Sequence, residues 1–210
     1  MKYFKTVLIV LSALFLLSSK PHVGKSITYN EIAIVSGIVK YSGLSDSDIY
    51  DLMLYNRVQN FIKEELLDFP NHYLRKNDVE RFRIAKIIVD SANKVTHVNW
   101  EHLFAIIRYE SSFNHKVIAE DKPSQGLTQL HGAAWVYCSD VLSRKTFRDS
   151  IEDQVLCGGL WLNHSIELCH GNIDQGLARY ATGYMCDYSD SKSVQFIVGR
   201  RMKLINKLNK

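Results

Sequence analysis

Glu110 is the residue on which chemistry is most readily built. It lies in the stretch at residues 99–130, NWEHLFAIIRYESSFNHKVIAEDKPSQGLTQL. Leu103, Ile106, Ile107 and Glu110 follow one another at spacings of three and four. In a helix this sets the carboxyl group on the apolar face, at the C-terminal end. Desolvation there disfavours the ionised form, and the negative end of the helix dipole adds to the effect. Both raise the pKa, as a general acid working near neutral pH requires. On pattern alone, an ordinary glutamate at a fraying helix end, or one paired with Arg108 or Lys116, is the commoner case. Ser111 has no base beside it in sequence, so it suits bracing of the backbone better than nucleophilic attack.

The elements that must position this carboxyl group are helices. Asn99 is placed as N-cap of the helix ending at Glu110, with Val98 and Leu103 as a hydrophobic staple. Upstream, Ser45 with Asp48 forms a capping box. It opens a helical pattern through Ile49, Leu52, Met53, Phe61, Ile62 and Leu66 that Pro70 closes. Asn77 caps a further helix with Val79, Phe82, Ala85, Val89 and Ala92 expected on one face. Downstream, helices are expected from Ala133 to Leu142, from a capping box at Asp149 and Glu152 to about Leu168, from Asp174 to Tyr180, and from Ser193 onward. Gly158 and Gly159 weaken the second of these but allow close packing. The last is basic toward its end, where cations suit the dipole. Trp135 and Trp161 read as core residues. His131, His164 and His170 read as surface or satisfied core residues. Residues 31–41 fit strand or helix equally. No period-2 pattern runs through the chain, so the fold class is mostly α, around one cleft.

Lys2 and Lys5 precede an apolar run at residues 7–17, broken by Ser12. This has the form of an export signal and is short for a membrane span. With Leu16 and Leu17 upstream of Ser18 and Ser19, no clean cleavage site appears, so residues 1–19 suit a signal peptide or an N-terminal anchor. The rest of the 210-residue chain suits one compact domain at residues 76–210, with an N-terminal extension of uncertain role at residues 20–75. The net charge of +4 is mild and argues for no nucleic-acid partner. Cys138, Cys157, Cys169 and Cys186 contain no C-x-x-C pair, which disfavours zinc. In an exported chain they are expected to form two disulfides, with three connectivities open.

Three motifs occur in order: Glu110-Ser111-Ser112-Phe113-Asn114, Gly126-Leu127-Thr128-Gln129, and Ala178-Arg179-Tyr180-Ala181-Thr182-Gly183. Together they resemble the lysozyme-like lytic transglycosylase family of the soluble-lytic-transglycosylase type. That family carries E-S-x-F-N, then G-L-M-Q, then A-x-Y-N-A-G. The likeness covers about residues 97 to 190. The chain departs from the pattern at Thr128 (usually Met), at Thr182 (usually Asn) and at Ala119, where a Ser often stands. Its loop to Gln129 is one residue longer and carries the pair Glu120-Asp121.

The resemblance implies a lysozyme-like helical domain with a substrate cleft. It also implies cleavage of peptidoglycan between N-acetylmuramic acid and N-acetylglucosamine, with Glu110 as single general acid and base and a 1,6-anhydro product. Ser111, Gly126, Leu127, Thr128, Gln129, Tyr180 and Thr182 are the implied substrate-binding positions. Gln129 offers amide groups to a sugar, and Tyr180 suits hydrogen bonding to Glu110 or lining of the sugar site. No cofactor is implied. The partners implied are peptidoglycan glycan strands, in a periplasmic or extracellular setting, with a cell-envelope machine or a phage lysis system as context. Two alternatives stand beside this reading. A lysozyme-type hydrolase would want a second carboxylate about 5–10 Å from the first, for which Glu120 and Asp121 are the candidates. A non-catalytic glycan-binding wall module would need no such acid.

Overall fold

The computed structural model describes residues 45–119 and 124–210. The export signal or anchor at residues 1–19, the apolar stretch at residues 31–41 and the Glu120-Asp121 pair lie outside the described residues. Seven α-helices are found among the described residues: α1 Asp46–Glu65, α2 Asp78–Ala92, α3 Trp100–Glu110, α4 Gly132–Leu142, α5 Ile151–Leu168, α6 Ile173–Thr182 and α7 Lys192–Leu208. A 3-10 turn, Tyr73–Lys76, joins α1 to α2. Among the described residues, extended pairing is confined to the isolated bridges Ile118–Gln125 and Gln125–Leu130. The mostly α class therefore holds.

The centre of the fold is α3. Leu103, Phe104, Ala105, Ile106 and Ile107 are all fully buried. Five consecutive buried positions cover every side of a helix, so neighbours must surround it. They are α2, α5 and α7. The entry to α3 is built as its sequence suggests. Asn99 is extended as N-cap, and Val98 and Leu103 are buried on either side of it. His102 adds a reciprocal contact, its Nδ1 accepting from the Asn99 N–H at 3.0 Å.

Residues 45–75 share this core. Tyr55, Val58 and Ile62 on α1, Leu66 at its C-cap and Leu74 in the 3-10 turn belong to the same apolar cluster as α3. Ser45 and Asp48 close the capping box on α1, the Ser45 N–H donating to the Asp48 carboxylate at 2.9 Å. Asn77 caps α2 by accepting from the Glu80 N–H at 3.0 Å. The buried face of α2 differs from the expected one. Val79 is exposed, and Ile84, Ile87 and Ile88 are buried with Ala85, Val89 and Ala92. Arg81, 1% exposed, takes the remaining inward position and donates to the carbonyls of Leu74 and Arg75, fastening the 3-10 turn to α2.

The cap of α5 is Ser150, whose hydroxyl accepts from the Asp153 N–H, one residue beyond the expected Asp149. Asp153 instead turns back, accepting from Arg144 and from the Phe147 N–H, and so orders the basic turn before the helix. The two glycines of α5 meet different neighbours. Gly158 faces the Thr128 side chain, and Gly159 faces Val95 and Leu103. Disulfides Cys138–Cys157 and Cys169–Cys186 close, with Cα separations of 5.4 and 5.6 Å, inside the usual bridging range. They tie α4 to α5 and the end of α5 to the loop after α6, and they fit an oxidising environment. Among the described residues no helix is long and apolar enough to cross a membrane.

Candidate active site

The helix α3 delivers Glu110 as its last residue, and the carboxyl group lands against α7. Arg201, 3% exposed, donates from Nη2 to Glu110 Oε1. The Glu110 side chain keeps 23% of its surface open. Burial pushes its pKa up from the ordinary carboxylate range, and the Arg201 charge and hydrogen bond pull it back without cancelling the rise. A carboxyl group of this kind can hold a proton at a pH where exposed carboxylates have lost theirs, and it still reaches solvent along one edge. Arg108 is not its partner. That guanidinium pairs with Glu65 at 3.0 Å and lies over the ring of Phe69.

Arg201 also connects Glu110 to α6. Its Nη1 donates to the Leu177 carbonyl at 3.3 Å, and its guanidinium lies 5.6 Å from the centre of the Tyr180 ring. Tyr180 is buried, and its hydroxyl donates to the Thr128 carbonyl at 2.7 Å, a bond to the loop and not to Glu110. Burial, with the Glu110 charge beside it, pushes the phenol upward, so it stays a neutral donor.

The Gly126-Leu127-Thr128-Gln129 segment is stitched to both partners. Ser111 donates to the Leu127 carbonyl at 2.9 Å and to the Ile107 carbonyl at 3.1 Å, joining the end of α3 to the loop. Gln154, on α5, carries the loop from below. Its Oε1 accepts from the Leu127 N–H at 2.9 Å, and its Nε2 donates to the Arg148 carbonyl at 2.7 Å. Thr128 donates to the Gln154 backbone carbonyl at 2.6 Å. Gly126 has φ +82°, and a Cβ there would run into the Gln154 side-chain amide. The turn at Gly126 is therefore packed against protein. Leu127 and Thr128 are completely buried, so neither side chain is presented to a ligand. Gln129 is half-buried with φ +48°, and its amide nitrogen donates to the carbonyls of Val117 and Gly126. Thr182 bonds the Ala178 carbonyl and receives the Met185 N–H, each at 3.0 Å, closing the C-terminal end of α6 before Gly183 at φ +86°.

The three motifs that stand apart in sequence thus meet through hydrogen bonds. Glu110, Arg201 and Tyr180 converge. Ser111, Gln129 and Thr182 brace the backbone around them, and Leu127 and Thr128 lie behind. Among the described residues no three His, Cys, Asp or Glu side chains converge as metal ligands. Trp135 is core, its indole donating to the Leu130 carbonyl at 3.2 Å. Trp161 is half-buried and packs with His131, Tyr137 and His164 in a surface cluster of rings. Comparison with known protein families, with curated proteins and with solved structures gives no match.

Two residues of the site were not singled out from sequence. Arg201 reads as one of the cations near the end of the terminal helix. It nonetheless falls on the stripe Val194, Val198, Arg201, Leu204, Ile205 and Leu208, every member of which is buried. A cation on an apolar stripe is the same signal that marks Glu110. Gln154 carries no comparable signal, because an isolated amide in a helix is ordinary.

Proposed function

We propose that the chain is an exported lytic transglycosylase that cleaves the N-acetylmuramic acid–N-acetylglucosamine bond of peptidoglycan. The observation that carries the reading is Glu110. It is a carboxyl group at the end of a buried helix, raised in pKa by burial, partly open to solvent and bonded to Arg201, beside the point where the other two motifs are bonded together.

Protonated Glu110 donates its proton to the glycosidic oxygen as the bond from the anomeric carbon to that oxygen breaks and the muramyl ring becomes oxocarbenium-like. The ionised carboxylate then accepts the proton of the muramyl 6-hydroxyl, whose oxygen bonds to the anomeric carbon. The carboxyl group returns to its starting state, no water is consumed, and the product is a 1,6-anhydro sugar. One carboxylate serves both steps because its protonation alternates. Ser111 braces the end of the helix that carries it, and Tyr180 braces the neighbouring loop.

The test is product analysis on purified peptidoglycan. Anhydromuramyl products from the unaltered chain, lost in Glu110→Gln, are the expected result. Reducing-end products would move the assignment to the hydrolase and make Glu120 and Asp121 the next residues to replace.

A further inference from the structure

Glu110, in the role given above, must be an acid in one step and a carboxylate in the next. Burial favours the first state and penalises the second. Something has to make the ionised half of the cycle accessible. Arg201 is placed to do so: its guanidinium presents a planar fork of N–H donors, and Nη2 donates to Glu110 Oε1.

We propose that Arg201 is a positioning residue for the reaction: anchored to α6, it holds the Glu110 carboxyl group in place and supports its ionised state between the two proton transfers. The inference rests on the reading of Glu110 as acid and base.

Two observations carry it. Arg201 is fixed at two points besides Glu110, by the Leu177 carbonyl and by the face of the Tyr180 ring, so the cation does not simply follow the carboxylate. The nearby arginines are committed elsewhere. Arg108 is held by Glu65, and Arg200 points outward between the rings of Tyr109 and Phe196. Among the described residues, Arg201 from α7 is the charged group that acts on Glu110, and Tyr180 from α6 feels the Glu110 charge in turn. The neutral phenol adds no charge, and α2 and α5 contribute no group that shifts Glu110.

The experiment is an NMR titration of the full chain with 13C-labelled glutamate carboxyls, with Glu110 assigned by its absence in Glu110→Gln. Arg201→Gln keeps a donor and removes the charge. It should move the Glu110 midpoint up by about one to three pH units, the size of effect an adjacent arginine has on a carboxylate. Arg201→Lys should leave it near the unaltered value. In parallel, the pH above which cleavage falls should rise with the NMR midpoint in Arg201→Gln, with kcat lowered and KM little changed. An unmoved Glu110 midpoint in folded Arg201→Gln overturns the proposal. If that variant does not fold, the unaltered chain decides. The Arg201 side-chain N–H signals must shift with the same midpoint as the Glu110 carboxyl, and independent titration overturns the proposal. Absence of cleavage by the unaltered chain would refute the glycan-cleaving reading, while the carboxyl titration would still report on the pair.

Discussion

Glu110 combines a proton affinity raised by burial with one face toward solvent, and each property has a consequence. In the proposed reaction the acid step needs the protonated form. Because the folded-state pKa lies above the ordinary carboxylate range, cleavage should persist at pH values where exposed carboxylates are ionised. It should fall as pH rises through the Glu110 midpoint. A pH–rate profile of kcat/KM checks this, and a high-pH limb in the ordinary carboxylate range would contradict it. Gly126 offers a second test. Its backbone is left-handed, and a Cβ would displace the Gln154 side-chain amide that accepts from the Leu127 N–H. Gly126→Ala should lower stability by about 1–3 kcal/mol, measured by denaturant unfolding, and should lower activity because the bonds from Ser111 and Tyr180 end on this loop. Glu110 was legible in the sequence because a carboxylate on an apolar stripe violates the pattern around it. Arg201 violates its own stripe in the same way, yet a basic helix end hides it among cations with a dipole rationale. The roles of Leu127 and Thr128 were not legible. Motif spacing says that a loop is near the acid, but not which of its side chains turn inward.

At the scale of elements, caps and periodicity place the helices well, and the misses have local causes. Ser150 takes the place of Asp149 as cap of α5, accepting from the Asp153 N–H while the Asp153 carboxylate accepts from Arg144 and the Phe147 N–H. The face of α2 turns because Arg81 occupies an inward position that an apolar count omits, its Nη1 donating to carbonyls of the 3-10 turn. Disulfide pairing was open in sequence, since spacing alone cannot say which helices touch. The packing of α4 on α5 and the return of the chain after α6 settle it. The Cys169–Cys186 bridge closes a loop of 17 residues around α6, the helix that carries Tyr180 and Leu177. Replacing both cysteines by alanine should cost about 3 kcal/mol of stability, read as a lower unfolding midpoint. An unchanged midpoint would mean that the bridge leaves the unfolded chain as free as before.

At the scale of the whole molecule, the boundary expected near residue 75 does not separate two cores. Tyr55, Val58, Ile62, Leu66 and Leu74 are buried with the residues of α2 and α3, and the 3-10 turn is bonded to both α2 and the segment after Glu110. The Tyr73 hydroxyl donates to the Phe113 carbonyl at 3.3 Å. A chain beginning at residue 76 would expose the faces of α2 and α3 that α1 covers. It should lose its cooperative unfolding transition and near-ultraviolet circular dichroism, whereas a cooperative transition of normal midpoint would show that residues 45–75 are dispensable. The extension was unreadable because the motif resemblance begins after it, while an amphipathic helix can cap a core without carrying any motif.

The measurement that bears most directly on the central claim is mass spectrometry of purified peptidoglycan incubated with the chain, beside an identical reaction with Glu110→Gln. If Glu110 alternates as the single acid and base, the unaltered chain releases fragments ending in 1,6-anhydromuramic acid. The variant, folded by circular dichroism, should release at least about 100-fold less, the low end of the contribution of a general acid–base. Anhydro products at an undiminished rate from Glu110→Gln, or no products at all from the folded, disulfide-bonded chain, would contradict it.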